Sequence, residues 1–162
     1  MKRRMQIGLV LGFAMMPAVI LAQAAPNFSG TWNLSNERSI PKRGGSATLR
    51  IDHRDPLLSV ETTILHGSTA PRHALQQYST DGEVSASTGA DGDQFHTSVA
   101  WNGQSLVFSI EEHEDGRILH SRETWALLEN GAELERVREP LDASGTEAGK
   151  QTLIYLRQAP QN

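Results

Sequence analysis

Residues 95–110, FHTSVAWNGQSLVFSI, have the clearest secondary-structure pattern in the chain. In the first half of this stretch every second residue belongs to one face of a β-strand, and that face is mostly apolar: Phe95, Thr97, Val99 and Trp101. Such alternation predicts a strand with one buried face. Asn102-Gly103 follows directly and predicts a type I′ turn, because these residues tolerate the positive φ required at both central positions. The return run alternates in the same way, so the stretch predicts a β-hairpin.

The same period-two pattern extends in both directions from this hairpin. It predicts further strands at residues 28–35, 47–53, 58–64, 73–79, 117–128, 133–138 and 150–158. Turns are predicted at Asp81-Gly82, Asp115-Gly116 and Asn130-Gly131. Polar, Gly-rich residues make 85–93 and 141–149 predicted loops, and no segment has a convincing helical pattern.

A meander of about nine or ten strands either packs as two sheets or closes into a barrel. Closure is favoured, because it removes the exposed strand edges along which chains aggregate. The sequence therefore predicts an all-β fold, an antiparallel up-and-down β-barrel, formed by a single domain over residues 25–162.

Residues 1–24 have the three zones of a cleavable secretory signal peptide. Three basic residues at positions 2–4 precede an apolar run at 7–21, and Ala22-Gln23-Ala24 provides the small residues of a cleavage site. The run is shorter than the ~20 residues that span a bilayer, and no stop-transfer pattern follows it. We expect export to the periplasm or beyond, cleavage near Ala24, and no stable membrane anchor afterwards.

Charge and cysteine content narrow the function further. The leader holds three of the 15 basic residues and none of the 19 acidic ones, which leaves the mature chain with a net charge of −7. This acidic balance argues against nucleic acid as a partner and favours a monomer that repels its own copies. The chain has no cysteine, which excludes disulfides, thiol catalysis and thiolate metal sites.

A motif opens the mature chain at residues 26–34, PNFSGTWNL. It resembles the F-x-G-x-W opening of the calycins, the superfamily of lipocalins and fatty-acid-binding proteins. In those proteins the Trp lies at the closed end of an up-and-down β-barrel, and an Arg of the last strand packs across it. The resemblance implies that Trp32 and Arg157 close this barrel, with the guanidinium stacked on the indole as a cation–π contact.

A closer resemblance covers the whole mature chain and is to small exported bacterial lipocalin-like proteins, mostly of unassigned function. The matching pieces are residues 28–32, 51–56, 79–82, 101–103 and 123–125, and the terminal strand around Tyr155. It implies a calycin-like barrel of about 8–10 strands. Residues 36–46 are too few for the helical lid that fatty-acid-binding proteins carry between their first two strands.

The resemblance also implies that the barrel binds a small hydrophobic or amphipathic ligand. Trp101, Phe108, Trp125 and Tyr155 are then candidate lining residues, although side chains also simply fill small barrels. Arg136 shares a strand face with Leu134, and an Arg inside a barrel needs an anionic partner such as a ligand carboxylate.

An alternative reading of the Arg136 strand starts from its acidic residues. Glu133, Glu135 and Glu139 would mark a solvated strand, and the pattern favours this reading.

Metal, cofactor and enzyme signals are weak. Six histidines occur, at positions 53, 66, 73, 96, 113 and 120, but no pair has a local ligand spacing such as H-x-H. Solvated histidines are the favoured interpretation, and residues 111–115 (EEHED) are read as an acidic turn. No metal site or cofactor is predicted. No G-x-S-x-G, H-E-x-x-H or P-loop motif is present, so no catalytic residue is assigned and we expect a protein that is not an enzyme.

Two competitors to ligand binding stay open from the sequence. One is a cell-envelope interaction protein whose barrel is fully packed and binds no ligand. The other is a haem or metal binder that depends on its histidines.

Overall fold

The computed structural model describes residues 25–89, 92–141 and 149–159, so the predicted signal peptide lies outside the described residues. Ten strands form the described part: β1 Gly30–Leu34, β2 Ser46–Arg54, β3 Leu57–Leu65, β4 Arg72–Ser79, β5 Asp81–Thr88, β6 Gln94–Asn102, β7 Ser105–Glu114, β8 Arg117–Leu128, β9 Glu133–Leu141 and β10 Gln151–Arg157. A short 3₁₀ turn, Glu129–Gly131, joins β8 to β9. Among the residues described, no helix is both long and apolar enough to cross a membrane.

All ten strands belong to one antiparallel sheet in the order β4-β3-β2-β1-β10-β9-β8-β7-β6-β5. The first and last strands of the chain pair directly, with Trp32 opposite Arg157. The two edge strands, β4 and β5, contact each other without a hydrogen-bonded ladder in this sheet order. The predicted up-and-down barrel is therefore confirmed, and it is nearly rather than fully closed.

Three local predictions were wrong. Residues 85–88 continue strand β5 rather than forming a loop, because β5 pairs along its length with the hairpin strand β6. Asp81-Gly82 does not close a hairpin, since β4 and β5 share no ladder. Residues 111–114 are strand rather than turn, because they pair with β8 through Glu114 opposite Arg117.

The turn within the central hairpin also differs from the prediction. Asn102 is the last residue of β6 and pairs with Ser105, so the two loop residues are Gly103 and Gln104. Gly103 has a φ of 62°, and it takes the first loop position, where glycine stands in a type II′ turn. The expected type I′ turn centred on Asn102-Gly103 is wrong, although the hairpin itself is confirmed.

The two ends of the barrel differ in how they are filled. One end is closed by an aromatic cluster in which Phe28 lies between His53, Trp101 and Trp125, with ring centroids 5.8 to 6.2 Å apart. Phe28 is fully buried there. We call this the closed end, and we call the other end, where β1 finishes and β2 begins, the open end.

Residues 35–45 link β1 to β2 across the open end and contain no helix, in line with their short length. The backbone of Ile40 exchanges two hydrogen bonds of 2.7 Å with Thr152 of β10. The buried Ser39 hydroxyl donates to Ser35 O and accepts from Ile154 N. The linker is thereby fixed to the last strand and borders the barrel mouth without covering it with a helix.

Candidate ligand cavity

Two adjoining cavities occupy the barrel on the side of the open end. The larger has a volume of about 630 Å³ and is open to solvent; the smaller, of about 120 Å³, lies deeper. Thr62, Gln76 and Arg136 line both cavities, so the two adjoin at these residues.

Strand alternation explains this lining, because successive side chains of each strand point to opposite faces of the sheet. The apolar part of the open cavity comes from inward residues of the strands: Leu34, Ala47, Ile64, Leu153 and Tyr155. Linker residues 41–44 form its rim. The deeper cavity is more polar, because Glu123, Arg136 and Arg138 border it.

An ion pair between Arg136 and Glu123 lies at the wall of the deeper cavity, and Arg136 also borders the open one. Arg136 Nε donates to Glu123 Oε1 over 2.6 Å, and both side chains are largely buried, with 20% and 8% exposed. Trp125 Nε1 donates to the same carboxylate oxygen, while the Arg136 guanidinium lies 4.7 Å from the Trp125 ring centroid. Arg136, the inward arginine that the sequence offered as the less favoured alternative, is largely buried, and its partner is a carboxylate of the protein itself.

The ion pair keeps both Glu123 and Arg136 charged. Burial alone raises the pKa of Glu123, but the nearby Arg136 charge and its hydrogen bond outweigh burial and lower this pKa below its usual value. Burial lowers the pKa of Arg136, yet the Glu123 charge more than offsets it, so this pKa is raised. The sequence analysis overlooked Glu123, although its position two residues before Trp125 places it on the same inward face.

The second interior cation is also compensated. Arg138 lies 3.6 Å from the Glu112 carboxylate, so each of the two arginines that border the deeper cavity has an acidic partner. Tyr78 faces this region too, and burial raises the pKa of its phenol to about 12. The phenol is therefore neutral at any physiological pH and can both donate and accept hydrogen bonds.

The interpretation of β9 as a solvated strand was wrong. Glu133 and Glu139 are both buried, with 8% and 9% of their surface exposed. Arg38 of the linker covers Glu133 with two hydrogen bonds, and Lys150 lies 3.2 Å from Glu139. The local sequence could not reveal these partners, because Arg38 comes from a distant part of the chain.

The structure places the candidate lining residues in different parts of the barrel. Phe108 borders the deeper cavity, Tyr155 borders the open one, and Arg136 borders both. Trp101 borders neither of them: it packs at the closed end against Phe28 and donates its indole N–H to Asp55 over 2.8 Å.

Trp32 and Arg157 lie together at the closed end. The Arg157 guanidinium is 4.0 Å from the Trp32 ring centroid and donates to the backbone oxygens of Ser29 and Gly131. Trp32 is fully buried and donates its indole N–H to Phe28 O over 3.0 Å. The arginine thus covers the indole and fastens three chain segments around it.

A second group of polar residues, which the sequence analysis also missed, lies on the outer wall of the barrel. His96 of β6 stands opposite Glu111 of β7, and His113 follows two residues later on the same face. Their potential ligand atoms all lie within 4.8 Å of one another. The three residues are brought together by strand pairing rather than by local sequence spacing.

Ten antiparallel strands in a nearly closed up-and-down barrel, with an aromatic closed end and a cavity at the other end, define the fold as calycin-like. No protein-family model and no curated protein sequence matches the chain.

Solved structures nevertheless share the fold over most of the chain. Secretory abundant heat soluble protein 4 from Ramazzottius varieornatus matches 85% of this chain and 100% of its own, with a TM-score of 0.64 and 12% identity. The REP1-NXSQ fatty acid transporter matches 83% and 98%, with a TM-score of 0.57 and 13% identity. The fatty-acid-binding protein of Manduca sexta matches 80% and 98%, with a TM-score of 0.51 and 11% identity.

Proposed function

We propose that this chain is an exported, monomeric, non-catalytic protein that binds a small hydrophobic or amphipathic molecule at the open end of its barrel. The observation that carries the proposal is the open cavity of about 630 Å³, whose lining is largely apolar and which adjoins a polar deeper cavity. Its volume lies within the range of ~300–1,000 Å³ that is typical of small-molecule sites. A fully packed barrel offers no such space, which disfavours the competing interaction protein.

The lining suggests how such a molecule would be oriented. Leu34, Ile64 and Leu153 offer apolar contact near the mouth, where an alkyl chain or ring would lose its exposure to water. Arg136 and Gln76, where the two cavities meet, offer polar groups deeper in the barrel. An amphipathic ligand would therefore enter with its polar group first.

The compensated interior charges indicate which polar groups are accepted. Glu123 already neutralises Arg136, and Glu112 lies beside Arg138, so the cavity wall has no excess positive charge from these pairs. A ligand carboxylate would compete with Glu123 rather than fill an empty counter-ion position. We therefore expect an uncharged alcohol to bind about as well as the fatty acid of the same chain length, within about tenfold.

Binding is tested first on protein purified from its own host. Native mass spectrometry should reveal a small molecule that leaves the chain on collisional activation. Displacement of an environment-sensitive fluorescent probe by a fatty acid, and by the alcohol of the same chain length, then measures the two affinities. Failure of both ligands to displace the probe, together with ligand-free protein in the mass spectrum, would refute the proposal.

A pair of adjacent residues provides the matched variants for the cavity. Ala47 lines the open cavity, whereas the Thr48 hydroxyl bonds the exposed Asn33 side chain on the outer face. Ala47→Trp fills part of the cavity and should weaken binding by at least about tenfold, which corresponds to about 1.4 kcal/mol of lost contact. Thr48→Trp adds the same side chain outside and should leave the affinity unchanged.

Export is tested separately from binding. Residues 1–24 carry the predicted leader, so the mature protein isolated from its host should begin at or near Ala25 when its N-terminus is sequenced. A protein that retains Met1 and stays in the cytoplasm would overturn this part of the proposal and leave ligand binding untouched.

A further inference from the structure

The outer face of strands β6 and β7 carries three potential metal ligands in one place. His113 Nε2 lies 2.6 Å from Glu111 Oε1, and His96 Nδ1 lies 3.6 Å from the same oxygen. The two imidazole rings are 5.2 Å apart between centroids and nearly perpendicular, at 73°. All three side chains are between 38% and 45% exposed, so an ion from solvent can reach them without any opening of the barrel.

The backbone fixes this arrangement. His96 and Glu111 are directly opposite each other in the β6–β7 ladder, where cross-strand side chains lie about 5 Å apart at Cβ. Glu111 and His113 are separated by two residues on one strand, so both point outward from the barrel. The triangle is therefore part of the sheet and does not depend on a loop conformation.

The distances between the three ligand atoms are close to those that a small divalent ion requires. Tetrahedral zinc with bonds of about 2.0–2.2 Å places its ligand atoms about 3.3 Å apart. The ligand atoms here lie at most 4.8 Å from one another, so side-chain rotations that move atoms by about 1.5 Å would bring all three to the ion. A fourth position would remain for water, as it does in zinc sites with two histidines and one glutamate.

We propose that His96, Glu111 and His113 form a surface site for a divalent transition-metal ion such as Zn²⁺. Two imidazoles and one carboxylate suit zinc and its neighbours in the first transition row, whereas Mg²⁺ and Ca²⁺ prefer all-oxygen ligand sets. The site lies on the outside of the barrel wall and is independent of the ligand cavity.

The proposal is tested by calorimetry with ZnCl₂ on protein made without a polyhistidine tag. We expect saturable binding of one ion per chain, and no comparable heat with MgCl₂. His96→Ala, His113→Ala and Glu111→Gln should each weaken Zn²⁺ binding by at least about tenfold, the size of effect that loss of even an outer-shell partner produces. All three residues are on the surface, so circular dichroism should show the variants folded.

His73→Ala is the matched control, because His73 is an exposed histidine on strand β4 whose Nδ1 lies 3.0 Å from the Thr63 hydroxyl and which is not part of the triad. The Zn²⁺ affinity of this variant should equal that of the unaltered protein. Nuclear magnetic resonance of the imidazole nitrogens then identifies the coordinating atoms. During a titration, Zn²⁺ should change the chemical shifts of His96 Nδ1 and His113 Nε2 at lower concentrations than those of any other histidine nitrogen. Absence of saturable binding, or an equal loss in the His73→Ala variant, would overturn the site.

Discussion

Replacing Arg136 with methionine tests the role of the interior ion pair most directly. The change keeps an unbranched side chain and removes the charge, which leaves the Glu123 carboxylate buried with Trp125 as its remaining hydrogen-bond donor. Breaking a buried pair by removing one partner typically costs about 3–5 kcal/mol, mostly because the other charge is left uncompensated. Because the Arg136 side chain is 20% exposed, we expect the free energy of unfolding at pH 7 to fall by about 3 kcal/mol, the lower end of this range.

The decrease in unfolding free energy caused by Arg136→Met should depend on pH in a defined direction. In the unaltered protein the pKa of Glu123 is lowered, so its contribution to stability is present above the unfolded value of about 4.3 and disappears as the pH falls through the folded pKa. In the variant, burial without Arg136 raises the folded pKa of Glu123 above that value, and stability then falls as the pH rises through it. The difference in unfolding free energy should therefore be largest at neutral pH and shrink towards pH 4.

Urea unfolding followed by Trp fluorescence, at several pH values between 4 and 8, measures this difference. The cycle is completed by Glu123→Gln and by the double variant, and we expect a coupling energy of about 1–3 kcal/mol. Arg50→Met is the surface control, because Arg50 and Glu61 are exposed and 3.5 Å apart, and it should cost less than about 1 kcal/mol. The buried ion pair would not have the stabilising role given to it here if Arg136→Met lowered the free energy of unfolding as little as Arg50→Met. The same would hold if the decrease did not change with pH.

Three further predictions concern the closed end. Trp32→Ala should destabilise the protein by about 3–5 kcal/mol in chemical denaturation, because the indole is fully buried; a loss below about 1 kcal/mol would contradict its role in closing the barrel. Gly30→Ala should cost about 1–3 kcal/mol, because Gly30 has a φ of 144° and a Cβ would lie 2.6 Å from Arg157 Nη1; an unchanged melting temperature would be the contrary result. Burial lowers the pKa of His53, so the unfolded state takes up this proton first and stability falls as the pH drops below about 6.5. His53→Gln should flatten that part of the stability profile, and an identical profile would show that His53 has the same pKa in the folded and unfolded states.

The period-two pattern predicted most of the barrel because most strands bury one face. Residues 95–101 and 106–110 are examples, since every second residue of each run turns inward and most of these inward residues are apolar. Strand β5 was missed because its residues are exposed or half-buried on both faces, so no alternation marks it. Its pairing with β6 holds it in the sheet, and that contact is not encoded within the segment itself.

The cluster of His96, Glu111 and His113 on the outer wall was not predicted, and the reason is the register of the hairpin. A turn centred on Asn102-Gly103 would place His96 opposite Ser109, whereas the observed turn places it opposite Glu111. The two registers differ by two residues, and such a shift keeps every side chain on its face of the sheet. Hydrophobic alternation alone therefore could not distinguish them, and the histidines looked unrelated in the sequence.

The inward faces of the strands show why one end of the barrel holds a cavity and the other is closed. Away from the closed end, large apolar residues give way to polar or smaller ones at the level of the deeper cavity: Leu58 and Val60 to Thr62 on β3, Tyr78 to Gln76 and Ala74 on β4, Trp101 and Val99 to Thr97 on β6, and Trp125 to Glu123 and Ser121 on β8. Large apolar residues, Ile64 and Phe95, follow nearer the mouth on β3 and β6. A barrel built only to be stable would keep large apolar side chains to both ends, because each one buried contributes about 1.5–3 kcal/mol. The loss of side-chain volume on several strands at the same level leaves the cavity, and the paired charges of Glu123 and Arg136 make its inner wall polar without excess charge. This loss of side-chain volume at one level on four strands supports the proposed binding role of the cavity.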